Sequence, residues 1–256
     1  MNSNEKKGII LAGGSGTRLH PVTRVVSKQL LPVYNKPMIY YPLSILINSG
    51  LKDILIITTP EDQNLFKRLL GNGNQWGVNI DYETQKKPEG IAQAFLIAKD
   101  WLQGSDPVLI LGDNLFFGPS IAETIKSAIN DNVGSTIFGY QVKDPERYGV
   151  IEFDNDKNVL SLIEKPNNPS SDWIATGLYI YDNSVIEKAE CLKKSARGEL
   201  EITDLNSLYL KNDNLKVVLL DNSYFWLDTG THEAFLEASI TVKSIIENKN
   251  DNYDII

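Results

Sequence analysis

Only one cysteine, Cys191, stands in this sequence, beside two histidines and two methionines. One thiol excludes an internal disulfide and a cysteine zinc site. His20 and His232 have no metal-ligand spacing and read as structural or surface residues. No basic run offsets the formal net charge of −8, which argues against nucleic acid or an anionic membrane as partner. No apolar run approaches the roughly 18 residues that cross a bilayer, and the start MNSNEKK lacks the apolar stretch of a signal peptide. A cytoplasmic protein that handles small anions is expected. Two common nucleotide signatures are missing as well: there is no G-x-x-x-x-G-K-[ST], and Leu19 stands where the third glycine of G-x-G-x-x-G would follow Gly14 and Gly16.

The chain does have the means to build a large core. Of its 256 residues 42% are hydrophobic and 23% charged, ordinary globular usage. Strand-length apolar runs alternate with segments of helical period: 8–12 then 38–48, 54–58 then 62–70, 80–84 then 90–102. Strands flanked by helices in this way are parallel and covered on both faces, which accounts for the continuously apolar stretches 54–57 and 108–111. The reading is α/β, a doubly wound, mostly parallel, Rossmann-like sheet. From about Thr136 closely spaced strands (136–142, 149–153, 159–163, 175–181) indicate an antiparallel insertion. Helices follow at 184–192 and 202–210, a strand at 216–220 and a last helix at 232–247, with a tail at 248–256 expected to fray.

The first strand, GIILA, runs directly into Gly13-Gly14-Ser15-Gly16-Thr17-Arg18. A glycine-rich turn at the C-terminal end of a first parallel strand can wrap backbone N–H groups around phosphates, although the same pattern also serves as a plain tight turn. Arg18 and Lys28 add two cations, which a triphosphate held for attack at its α-phosphorus requires. The run PVLILGDN ends in Asp113, at the crevice where α/β folds bind ligands, and a Mg²⁺ ligand is expected there. Asp228 closes another apolar run, FWLD, and is either a second Mg²⁺ ligand or a helix N-cap. Glu164-Lys165 pairs a carboxylate with an amine suited to sugar hydroxyls and a phosphate. In RGELEITD, which carries Arg197, the plainer reading has Thr203 or Asp204 capping the next helix.

These residues together resemble the sugar nucleotidyltransferases, most closely those that make dTDP-glucose. G-x-G-x-R, P-x-T and K-x-x-L-P occur as Gly14, Gly16, Arg18, Pro21, Thr23, Lys28, Leu31 and Pro32. KPMIYYPLS, KPEGIAQAF, LGDN, DPERYGV, EKP, TGLYIYD, RGELEITD and WLDTGTHEAFLEAS are similar to family segments over roughly residues 7 to 245. The resemblance implies one nucleotidyltransferase domain over 1–256, with a nucleotide-binding part at about 7–135, a sugar-binding part at about 136–230 and a C-terminal helix at 231–248. It implies transfer from dTTP to glucose 1-phosphate by in-line attack, without a covalent enzyme intermediate. Arg18, Lys28, Lys165 and Asp113 would be catalytic, with Asp113 and Asp228 on Mg²⁺. Leu11, Gly13, Gly14, Gly16, Thr17, Gln29, Gln85, Pro88 and Gly90 would line the nucleotide, Gln85 and Gly90 reading the thymine edge. Tyr148, Gly149, Glu164, Thr176, Gly177, Tyr179, Arg197 and Trp226 would form the sugar-phosphate pocket with Lys165, and Trp173 would narrow it.

The resemblance also implies self-association, as a dimer or a tetramer. Long family members continue beyond the final helix and build a regulatory site from the extension. This sequence stops soon after Asn250, so weak or absent feedback inhibition is expected. The alternatives are UTP or another hexose 1-phosphate as substrate, or a binding protein that has lost catalysis. A glycosyltransferase is disfavoured because Gly112-Asp113-Asn114 lacks the second acid of a D-x-D motif.

Overall fold

The computed structural model of the chain describes residues 5–14 and 16–247; the tail expected to fray, Asn250 and Ser15 of the glycine-rich turn lie outside them. Along the chain run β1 (Lys6–Ala12), the short pair β2 (Pro32–Val33) and β3 (Lys36–Pro37), α1 (Tyr40–Asn48), β4 (Asp53–Thr58), α2 (Gln63–Leu70), β5 (Asn79–Thr84), α3 (Gln93–Ile97) and α4 (Lys99–Leu102). Then come β6 (Asp106–Leu111), β7 (Asn114–Phe117), α5 (Ile121–Asn130), β8 (Ser135–Gln141), β9 (Gly149–Phe153), β10 (Val159–Glu164) and β11 (Trp173–Tyr181). The last part holds α6 (Val185–Glu190), α7 (Ile202–Leu210), β12 (Leu215–Leu219), β13 (Phe225–Asp228) and α8 (His232–Glu247). Contacts divide the chain into two compact units, and the cut falls inside β6, between Leu109 and Ile110.

The glycine-turn unit comprises residues 7–88, 110–126 and 223 onward. In it β1, β4 and β5 pair in parallel, Gly8 opposite Ile54 and Ile54 opposite Ile80, with α1 and α2 as the crossovers. Ile9, Ile10 and Ile54–Ile57 are fully buried, as strands covered on both faces must be. The expected α/β class is thus built from two successive βαβ units. A separate antiparallel ribbon joins β7 to β13, setting Phe117 opposite Phe225, Trp226 opposite Phe116 and Asp228 opposite Asn114. Beneath it a cluster of Val33, Met38, Tyr41, Leu115, Phe117, Ala238 and Val242 ties the ribbon to α1 and α8. In that cluster the Tyr41 and Phe117 rings meet edge to face at 5.8 Å.

The antiparallel unit holds residues 5–6, 89–109 and 127–222. β8 pairs β11, β11 pairs β9 through Ile174 and Val150, and β9 pairs β10, all antiparallel as expected. One strand departs from that expectation: β12 lies parallel on the free side of β8, Leu215 opposite Ser135. The helix expected over 90–102 is broken at Ala98, which ends α3 and begins α4. Phe95 of α3 packs edge-on against the buried Tyr181 ring at 5.2 Å.

Replacing Phe117, 2% exposed, by alanine would leave a cavity under the ribbon and cost about 3 to 5 kcal/mol. Urea unfolding checks this; a loss below about 1 kcal/mol would mean that the cluster is not a tight core.

Candidate functional site

The glycine-turn unit contains a cleft of about 280 Å³ lined by Gly13, Gly14, Gly16, Thr17, Arg18, Lys28, Gln29, Asp113 and Gly230. The residues brought together here come from four separate stretches of chain. β1 delivers the turn as its C-terminal end, and Leu11 sits buried in that strand, its carbonyl accepting the Gly112 N–H at 2.9 Å. The Thr23 hydroxyl donates to the Gly16 carbonyl at 2.7 Å, tying the loop after Arg18 back onto the turn. The Arg18 guanidinium lies against Gly230, where a Cβ would come within 3.0 Å of it. Buried Ser27 donates to Gln29 Oε1 at 2.7 Å, which leaves the Gln29 amide N–H groups to face other partners.

Asp113 follows β6 by one residue. Its Oδ2 contacts the Lys28 ammonium directly, its Oδ1 accepts from Asn114 Nδ2 at 3.1 Å, and its carbonyl accepts from the buried Thr229 hydroxyl at 3.0 Å. Burial alone would raise the Asp113 pKa; Lys28 first, and then the Asn114 bond, outweigh it and hold the carboxyl below its ordinary value. Stability from this pair is therefore present at neutral pH and is lost only as the pH falls through that lowered value. Asp228 is not an N-cap. It ends β13 opposite Asn114, the residue that follows Asp113, while Thr231 Oγ1 accepts the Ala234 N–H at 3.2 Å at the start of α8. Trp226 in the same strand is buried and donates its indole N–H to Asn114 Oδ1 at 2.7 Å.

A second hollow of about 410 Å³ in this unit is lined in part by Gly14, Lys28, Gln85 and Pro88. Gln85 is buried, and its Oε1 would lie 2.6 Å from a Cβ on Gly13. Glycine at 13 is therefore what lets the Gln85 amide reach the turn.

The antiparallel unit gathers another set of the expected residues. Glu164, at the end of β10, accepts from Thr203 Oγ1 at 2.5 Å and from Arg197 Nη2 at 3.1 Å, with Lys165 Nζ at 3.4 Å. Gly149 lies under this group, where a Cβ would be 2.9 Å from Thr203 Oγ1. Arg197 also bonds Glu201 at both carboxylate oxygens, at 3.2 and 2.7 Å, and Ser195 donates to Glu201 at 2.6 Å. Burial opposes the Arg197 charge, but Glu201 first, then Glu199 and Glu164, more than offset it and raise its pKa. The Lys165 N–H donates to the Tyr148 carbonyl at 2.9 Å. On β11, Thr176 donates to the Phe138 carbonyl at 3.0 Å, Gly177 follows it, and Tyr179 stacks on Tyr181 at 6.4 Å.

Three expectations change. Thr203 does not cap α7: the N-cap is Glu201, without a side-chain cap bond, and the Thr203 hydroxyl goes to Glu164. Asp204 sits in the helix's first turn instead of at its cap. Trp173 lies edge-on to Phe153 at 6.3 Å in a groove with Leu160 and Leu219, lined by none of the sugar-pocket residues. Conversely, Glu201 and Ser195, which hold Arg197, and Asn114, which holds Asp113, went unassigned in the sequence reading. Burial of Glu201 to 6% exposure is the signal that matters, and it is visible only once the chain is folded. His20 and His232 meet as a surface pair, His232 Nε2 3.2 Å from the His20 carbonyl oxygen.

Gly90 has φ 104°, and its Cβ would lie 2.3 Å from the Leu200 carbonyl oxygen. The Leu200 N–H bonds the Glu89 carbonyl at 2.7 Å, and the Ala92 N–H bonds the Leu200 carbonyl at 3.3 Å, so this backbone cannot simply yield. Gly90→Ala is expected to lower the melting temperature measurably and to depress turnover together with it; an unchanged melting temperature would show that the clamp relaxes freely.

Among the described residues no helix is long and apolar enough to cross a membrane, and no group of three or more His, Cys, Asp or Glu could hold a metal ion by itself. A family model for nucleotidyl transferases matches residues 7–244. A glucose-1-phosphate thymidylyltransferase of Neisseria gonorrhoeae is 55% identical over 244 residues, 95% of this chain and 85% of that protein. One of Mycobacterium tuberculosis is 52% identical over 239 residues, 93% of this chain and 83% of its own. A solved structure from Bacillus anthracis, assigned as a glucose-1-phosphate thymidylyltransferase and holding sucrose, superposes with a TM-score of 0.86 at 40% identity, covering 93% of this chain and 95% of that one. A UDP-glucose pyrophosphorylase complexed with UDP-glucose reaches 0.82 at 24% identity, over 94% and 99% of the two chains, and so shares the fold. With a glycine turn, two cations and a held carboxylate in one cleft and these likenesses along nearly its whole length, the chain belongs to the nucleotidyl transferase family.

Proposed function

We propose that this enzyme transfers a thymidylyl group from dTTP to glucose 1-phosphate, giving dTDP-glucose and pyrophosphate, with Mg²⁺ as helper ion. The observation that carries the reading is the cleft in which Arg18, Lys28 and Asp113 meet the glycine-rich turn, and the substrates come from the thymidylyltransferases to which the chain is similar. Asp113 and Asp228, the latter opposite Asn114 across the ribbon, are hard oxygen donors. A set of one or two carboxylates, completed by phosphates and water, fits Mg²⁺ better than a soft metal. When bound, Mg²⁺ supplies charge neutralisation on the triphosphate.

The remaining work is done by the chain. The turn offers backbone N–H groups to the phosphates, and Arg18 and Lys28 offset the charge that accumulates as a sugar-phosphate oxygen attacks the α-phosphorus and pyrophosphate leaves. Gln29 and Thr17 border the same space, and Gln85 beside Gly13 reads the base. In the antiparallel unit, Lys165 and Arg197 suit a phosphate, while Glu164 suits hydroxyl groups. No covalent enzyme intermediate is required, so positioning and charge account for the rate. The thymine methyl is worth only about 1 to 3 kcal/mol, and UTP should serve as a slower substrate. Self-association in the cytoplasm completes the proposal; Leu236 and Ile240, exposed one turn apart on α8, are apolar surface of the kind a second copy would cover.

Pyrophosphate release is the test, with dTTP and UTP compared and each component left out in turn. Release that needs nucleotide, glucose 1-phosphate and Mg²⁺ together, is fastest with dTTP and falls by orders of magnitude in a folded Asp113→Asn variant, is expected. Equal rates with both nucleotides would make the enzyme dual in base; no release with any hexose 1-phosphate would overturn the assignment.

A further inference from the structure

We propose that the Lys28 ammonium and the metal ion compete for one place on Asp113, so that the metal binds as Lys28 leaves. This rests on the reading of Asp113 as a metal ligand. Both carboxylate oxygens of Asp113 already carry a partner. Oδ2 holds Lys28, Oδ1 holds the Asn114 amide, and the backbone carbonyl holds Thr229. The Lys28 and Asp113 side chains are only 11% and 20% exposed, so water does little to loosen the pair.

Of the partners, Lys28 is the one free to move. Asn114 is locked in turn by the buried Trp226 indole at 2.7 Å, and Thr229 is completely buried. Lys28 instead ends in a flexible four-carbon stem that borders the 280 Å³ cleft beside the glycine turn. A cation that approaches Asp113 without a nucleotide must displace the Lys28 ammonium from Oδ2. A triphosphate in the cleft gives the ammonium a new partner and opens Oδ2. Metal and nucleotide therefore enter together, each raising the other's affinity by the same factor.

The experiment measures Mn²⁺ binding to the nucleotide-free chain by the loss of the free-ion electron paramagnetic resonance signal, in the parent and in Lys28→Met, Arg18→Met and Asp113→Asn. Arg18 lines the same cleft and controls for mere removal of a nearby positive charge. Lys28→Met is expected to tighten Mn²⁺ binding by about tenfold or more, and Arg18→Met by less than about threefold. Equal affinity in Lys28→Met and the parent, or the same gain in both methionine variants, would overturn the exchange. If Asp113→Asn leaves Mn²⁺ binding unchanged in the parent and in Lys28→Met, Asp113 is not a ligand and the functional reading of that residue fails first. Lys28→Gln replaces Lys28→Met if thermal unfolding shows that the methionine variant does not fold.

Discussion

A carboxylate at the end of a buried strand keeps its charge only where donors replace the water it has lost. At Asp113 those donors are Lys28, Asn114 and, through the backbone, Thr229. Each of them imposes something on the structure around it. Lys28 requires the chain after the glycine turn to return to the end of β6. Asn114 requires the indole of Trp226, hence the β7–β13 ribbon. Thr229 requires the chain leaving that ribbon to pass under Asp113, and its hydroxyl lies 3.2 Å from the Met38 sulfur in the cluster below. One charge thus explains why three distant segments converge.

The other unit solves a similar problem with the sign reversed. Arg197 is drawn into position by Glu164, Glu199 and Glu201, and Glu201, almost fully buried, is the fixed member. In both places an ion expected to meet substrate is held by a side chain that sequence inspection passed over. The holders are Asn114, Ser195 and Glu201. Their residue types are unremarkable in loops and helix starts; burial distinguishes Asn114 and Glu201, and Ser195 is marked only by its bond to Glu201.

Much of the architecture was legible because it rests on continuous or periodic burial. The expected segments 149–153, 202–210 and 232–247 coincide with β9, α7 and α8, each a run whose apolar spacing has one period. β7 escaped notice: NLFF follows the Gly112-Asp113 turn so closely that it reads as a continuation of the same apolar stretch. The parallel placement of β12 on β8 was equally hidden, since strand direction is set by the path of the intervening chain and not by local pattern. The carboxylates Asp113 and Asp228 stood out because each closes an apolar run, but nothing local revealed that Asp228 lies across a ribbon from Asn114, the residue after Asp113.

That ribbon also constrains how the protein comes into being. β13 at Phe225–Asp228 pairs with β7 at Asn114–Phe117 across more than a hundred intervening residues, a contact of high sequence separation that forms late when loop closure governs the rate. During synthesis the early βαβ units can assemble as soon as their strands leave the ribosome, whereas the ribbon cannot exist until nearly the whole chain has emerged. A nascent or truncated product can therefore fold its parallel strands and still lack the Trp226 and Thr229 donors that fix Asn114 and the Asp113 backbone, which makes a finished cleft itself a late marker of completed biosynthesis.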